Sequence, residues 1–157
     1  MPEFPTLVIG LGNPILGDDG VGWIIAEKLS KLLSERTDLE FEFLSLGGLA
    51  LMERLEGYEK VIIIDAICSG KKPKGFVHYF PLNELPDRSS GHTTAAHDTN
   101  LRTALEVGRS MGIVLPKENN IIVIGIEAEN VYDFSEDLSP AVEESIPNAI
   151  DLFLSVI

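Results

Sequence analysis

The sequence predicts one α/β domain over residues 1–157, a three-layer α/β/α sandwich with a mostly parallel five-stranded sheet. Two observations carry this. Short apolar or β-branched runs alternate with segments whose apolar residues recur at helical spacing, the order expected when helices connect parallel strands. Three of those runs are apolar at successive positions, as strands covered on both faces must be. With 157 residues, 45% hydrophobic and 24% charged, the chain is long enough to bury a full core.

The first strand is "TLVIGL" (Thr6–Leu11), and Val21, Ile25, Leu29 and Leu32 then share one face of a helix. "EFEFLSL" (Glu40–Leu46) alternates polar and apolar residues, which suits a strand nearer an edge. A short helix fills "LALMERL" (Leu49–Leu55), followed by the strands "KVIIIDA" (Lys60–Ala66) and "GFVHYF" (Gly75–Phe80). Asn83–Asp98 is the longest stretch without a pattern, and long loops in compact domains are more often functional than filler. Leu101, Ala104, Leu105, Gly108 and Met111 share a face of the next helix, and "NIIVIGI" (Asn120–Ile126) is the last strand. Ser139-Pro140 opens the final helix as a cap followed by proline. Its stripe is Val142, Ile146, Ala149, Ile150, Phe153 and Leu154, with Pro147 expected to kink or restart it. No internal repeat, linker or second domain is visible.

Twelve Lys and Arg against 25 Asp and Glu give a net charge of −13. A field of that sign repels nucleic acid and anionic membrane surfaces, and tolerates a neutral or basic peptide or a metal cation. Acidity that serves solubility alone is the plainer alternative. No apolar segment approaches the roughly 18 residues a membrane span needs, and "MPEFP" carries no basic stretch, so a soluble cytoplasmic protein is expected. Cys68 is the single cysteine, which excludes an internal disulfide and any multi-cysteine metal site.

Between the first strand and helix runs "GLGNPILGDDGVG" (Gly10–Gly22). A dinucleotide fingerprint needs a third glycine where Ile15 stands. A phosphate-binding loop fits Gly12 and Gly17 but needs Lys and Ser or Thr where Asp18 and Asp19 stand. Two carboxylates oppose the helix dipole that attracts phosphate, so the turn suits a cation or a hydrogen-bond donor. One aspartate can cap the helix beginning near Gly20 or shape the loop, with Asp18 the better candidate for either, which leaves Asp19 to spare.

Ligands of open parallel sheets gather at the carboxyl ends of strands. Asp65 ends an otherwise apolar strand, where a carboxylate is costly unless hydrogen-bonded, paired or metal-bound; bonding to nearby amides in "DAICSG" is the structural alternative. Of three histidines, His78 reads as a strand residue and His92 as a loop residue. His97 falls at the opening of a helix: starting near Ala95, that helix would place His97 and Leu101 on one face. An Asp, Asp, His set with open positions suits Zn²⁺ or Ni²⁺ better than Ca²⁺ or Cu(I), and Glu127 is a further strand-end carboxylate able to support it.

Taken together, "GLGNPILGDDGVG", "VIIIDA", "HDTNL" from His97, "GIE" at Gly125–Glu127 and "LSPAVEE" resemble, in order, the nickel–iron hydrogenase maturation endopeptidases. The resemblance covers nearly the whole chain. It implies a compact monomeric α/β peptidase that removes the C-terminal extension of the hydrogenase large-subunit precursor. The family's metal-binding triad matches Asp19, Asp65 and His97, which would act as both catalytic and metal-contacting residues. Nickel would arrive in the precursor rather than reside in the enzyme, so that cleavage follows insertion; zinc or cadmium could take the same ligands. One departure stands out: the family's acidic residue, two glycines and threonine after the second strand are Leu46, Gly47, Gly48 and Leu49 here.

Two chemistries fit this set, a metal-bound water attacking the carbonyl or a carboxylate base with nickel positioning the substrate. The sequence contains neither H-E-x-x-H nor G-x-S-x-G, and Cys68 has no evident base beside it. The rival readings are a metal-dependent amidase of another substrate and a non-catalytic nickel-binding chaperone.

Overall fold

The computed structural model describes residues 5–84 and 96–157, with the backbone alone for 96–100. Its strands are β1 (Thr6–Leu11), β2 (Leu39–Leu44), β3 (Val61–Ile67), β4 (Val77–Pro81) and β5 (Ile121–Glu127); its helices are α1 (Val21–Leu32), α2 (Gly48–Arg54), α3 (Ala96–Ser110) and α4 (Pro140–Val156). The sheet order is β2-β1-β3-β5-β4. The pairs β1–β2, β1–β3 and β3–β5 are parallel, and β4 closes the far edge antiparallel to β5.

Side-chain alternation divides the strands between two cores. Leu7, Ile9, Ile63, Ile67 and Val123 face α2 and α3, meeting Leu51, Leu101 and Leu105. Val8, Ile62, Ile64, Ile124 and Ile126 face α1 and α4, meeting Ile25, Leu29, Val142 and Phe153. All seven residues of β3 are buried, as its unbroken apolar run predicts. The alternating β2 lies at an edge, also as predicted. Among the described residues no helix is long and apolar enough to cross a membrane.

Several expectations are corrected at helix ends. Leu32, Met111 and Leu154 continue apolar stripes but are 60%, 70% and 39% exposed. Each stands past the last buried residue of its helix, respectively Leu29, Gly108 and Phe153, where the sheet no longer covers the stripe. Pro147 does not divide the last helix, which runs as one element with the proline inside it. That proline is exposed, so water can serve the Glu143 carbonyl deprived of its donor.

Replacing Ile63, which is fully buried, by alanine is expected to lower stability by about 2–5 kcal/mol through lost burial and the cavity left behind. Leu32→Ala, on the exposed end of its stripe, is expected to stay within about 0.5 kcal/mol. Urea unfolding monitored by circular dichroism checks both.

Candidate functional site at the carboxyl end of the sheet

The turn after β1 is shaped by close backbone approach. Gly12 has φ 135°, and a Cβ there would lie 2.0 Å from the Asp19 carbonyl oxygen. A Cβ on Gly22 would fall 2.2 Å from the Ile64 carbonyl oxygen and 2.6 Å from that of Leu11. Only glycine lets the first turn of α1 sit directly on the ends of β1 and β3, which brings the Asp18–Asp19 turn to the carboxyl end of the sheet.

The two aspartates separate by their donors. Asp18, 1% exposed, accepts the Ser139 N–H and hydroxyl, both at 2.7 Å. It therefore joins this turn to the start of α4 rather than capping α1, whose N-cap Gly20 has no side-chain hydrogen bond. Ser139 and Pro140 do open α4 as expected, but the serine hydroxyl goes to Asp18 instead of the helix amides. Asp19 is half-buried and accepts the Asn13 N–H at 2.9 Å on Oδ2.

Asp65 is fully buried, and its Oδ1 accepts the Ala66 N–H at 2.8 Å. It shares the sheet face of Ile63 and Ile67, the face covered by α3 through Leu101 and Leu105. The backbone of His97 lies at the start of α3 as described, one turn before Leu101, and Ala95, where the sequence places the helix start, lies outside the described residues. His92 lies outside the described residues. Among those residues no three His, Cys, Asp or Glu side chains form a metal-holding group.

Glu127 is 2% exposed and turns toward the loop after β3. It accepts the Ser69 N–H at 2.9 Å and the Gly70 N–H at 3.4 Å, holds the Ser69 hydroxyl, and meets His78 Nε2 at 3.0 Å. His78, an ordinary strand residue by its sequence pattern, is instead paired with a buried carboxylate. The available signal was register: His78 lies opposite Gly125 on β4, two positions before Glu127 and with its side chain on the same sheet face. Because the carboxylate stands between Ser69 and His78, the three groups do not form a nucleophile with a base at its hydroxyl.

Cys68 is half-buried amid these groups. Burial, followed by the charges of Glu127, Asp19, Asp65 and Asp18, pushes its thiol up to about 11. The effect of all four carboxylates on one sulfur marks their convergence at this end of the sheet. It also keeps the thiol protonated near neutrality, removing it as a nucleophile.

Residues 24–156 match the family model described as hydrogenase maturation protease. Protein FrxA of Pyrococcus furiosus is 30% identical over 146 residues, covering 90% of this chain and 97% of the relative. The hydrogenase maturating endopeptidase HybD of E. coli has a TM-score of 0.76 at 25% identity, covering 97% of this chain and 91% of its own. The hydrogenase 2 maturation peptidase of Thaumarchaeota archaeon SCGC_AB-539-E09 has a TM-score of 0.67 at 30% identity, with 96% of each chain covered.

Alkylation of Cys68 by iodoacetamide, followed by intact mass, is expected to be slow near neutrality and to accelerate about tenfold per pH unit up to the thiol's raised value. A plateau already reached near pH 9 would contradict the carboxylate surroundings. Asp18→Ala is expected to cost about 3 kcal/mol by removing the acceptor of two charge-assisted hydrogen bonds, with Asp18→Asn costing less, as read by urea unfolding.

Proposed function

Because this chain belongs to the hydrogenase maturation protease family, we propose that it cleaves the C-terminal extension from a nickel–iron hydrogenase large-subunit precursor once nickel has been inserted. In this reading Asp19, Asp65 and His97 contact the nickel carried by the precursor and hold the scissile bond beside them. The observation that carries it is Asp65: a fully buried carboxylate on the sheet face covered by α3, the helix whose first turn contains His97. Two carboxylates and an imidazole form a hard-to-borderline donor set suited to Ni²⁺.

Hydrolysis by water fits this site better than an acyl-enzyme. The Cys68 thiol is held protonated, and the hydroxyls of Ser45, Ser69 and Ser139 are given to Gly12, Glu127 and Asp18. Asp19 is the more accessible of the two aspartates and is the proposed base. It takes a proton as the water oxygen attacks the scissile carbonyl carbon; the peptide C–N bond breaks and the leaving amine receives that proton. The substrate's nickel fixes the carbonyl against this carboxylate, so a precursor without nickel is left unaligned and uncut.

The test is to incubate the protein with nickel-free and nickel-loaded precursor and to measure intact mass. Loss of a C-terminal peptide from the loaded form alone is expected, and Asp19→Asn should slow it by about a hundred- to ten-thousand-fold with the melting temperature little changed. Nickel binding without cleavage would favour the chaperone reading. Equal cleavage of both forms would overturn nickel recognition while leaving the peptidase intact.

A further inference from the structure

The segment from Glu129 to Ser139 exposes two large aromatic side chains, Tyr132 at 86% and Phe134 at 84%, with Ile15 of the facing turn at 48%. Exposed apolar residues scattered singly are ordinary, but here they sit together on a backbone that is held in place. Ser135 N–H donates to the Ile15 carbonyl at 2.9 Å, Gly17 N–H to the Ser135 carbonyl at 2.8 Å, and Asp18 N–H to the Asn130 carbonyl at 2.9 Å. The Ser139 bonds to Asp18 close the far end of the segment. The aromatics thus lie between two anchors, Asn130 and Ser135, that are hydrogen-bonded to the turn that carries Asp19.

Resting on the reading that this chain processes a hydrogenase precursor, we propose that Tyr132 and Phe134, with Ile15, form the surface on which that folded precursor docks. Aromatic anchors on a preorganised backbone are the residues that concentrate binding energy at protein interfaces. Exposed Glu129, Asp133, Glu136 and Asp137 border them, so the surface that fits is an apolar pocket edged by Lys or Arg. A second copy of this chain fits poorly, because its net charge of −13 and the same acidic border oppose association. Continuity with the Asp19 turn places a partner seated here against the proposed cleavage site, which gives the precursor as the occupant.

The experiment is steady-state cleavage of nickel-loaded precursor over a range of concentrations by the unchanged chain and by Tyr132→Ser, Phe134→Ser and the double variant. The double variant should raise KM by about tenfold or more while kcat at saturation and the melting temperature stay the same. Met111→Ser, also exposed at 70% but following the far end of α3, is the control and should change neither constant. An unchanged KM in the double variant, with cleavage intact, overturns the docking surface alone. Sedimentation showing that the unchanged chain is a dimer and the double variant a monomer overturns it in favour of self-association. Failure of the unchanged chain to cleave any precursor overturns the peptidase reading, and the docking proposal with it.

Discussion

The carboxyl end of the sheet depends on the two hydrogen bonds that Ser139 donates to Asp18, across 121 residues of sequence. Charge-assisted bonds to a buried carboxylate are worth about 1.5–3 kcal/mol each, and breaking them leaves a buried charge without its donors. The pair fixes the start of α4 against the turn before α1. Because Asp18 is committed there, α1 begins without a side-chain cap, its first turn instead seated on the strand ends that Gly22 allows. Asp19, one residue later, remains half-buried and facing a different donor. The acidic pair is divided by the partners each carboxylate meets, not by any difference between two identical side chains.

Four carboxylates lie within electrostatic reach of one thiol at this end of the molecule. The donors that meet them are mostly backbone amides and hydroxyls: Asn13 for Asp19, Ala66 for Asp65, Ser139 for Asp18, Ser69 and Gly70 for Glu127. One lysine ion pair, Lys74–Glu129, borders the same cavity as Cys68 and Glu127, and the other lysine and arginine pairs among the described residues lie on Glu27, Asp38, Glu42 and Glu118. Amide dipoles stabilise a carboxylate without cancelling its charge. A carboxylate held in this way keeps the charge that the proposed contact with a substrate-borne cation requires.

Much of the fold was legible because burial has a local period. The unbroken run of β3 and the alternation of β2 report how many faces each strand covers, and those numbers place one at the centre and the other at an edge. Periodicity does not encode where a neighbouring layer stops, so Leu32, Met111 and Leu154 read as core and stand exposed. The site was legible in part for the same reason. Asp65 interrupts an apolar pattern and so announces itself, whereas the Asp18–Ser139 and His78–Glu127 pairings join residues far apart in sequence whose own neighbourhoods look ordinary. Only the register of β4 on β5 and the closure of the two loops bring them together.

The same closure bears on how docking and chemistry would be coupled. Effective positioning of a peptide bond requires that the surface gripping the substrate and the group attacking it keep a fixed separation, since a displacement of about 1 Å can cost a hundredfold in rate. Tyr132 and Phe134 belong to one segment and Asp19 to another, but the Ser135 and Ile15 backbones and the Asp18 carboxylate hold those segments as a unit. Without that frame the aromatics could still bind a precursor, yet the bound protein would move relative to Asp19 and binding would not be converted into alignment. The Asp18 clasp thus has a mechanical consequence beyond its share of the fold's stability: it turns two independent loops into a single rigid lip around the carboxyl ends of β1 and β3.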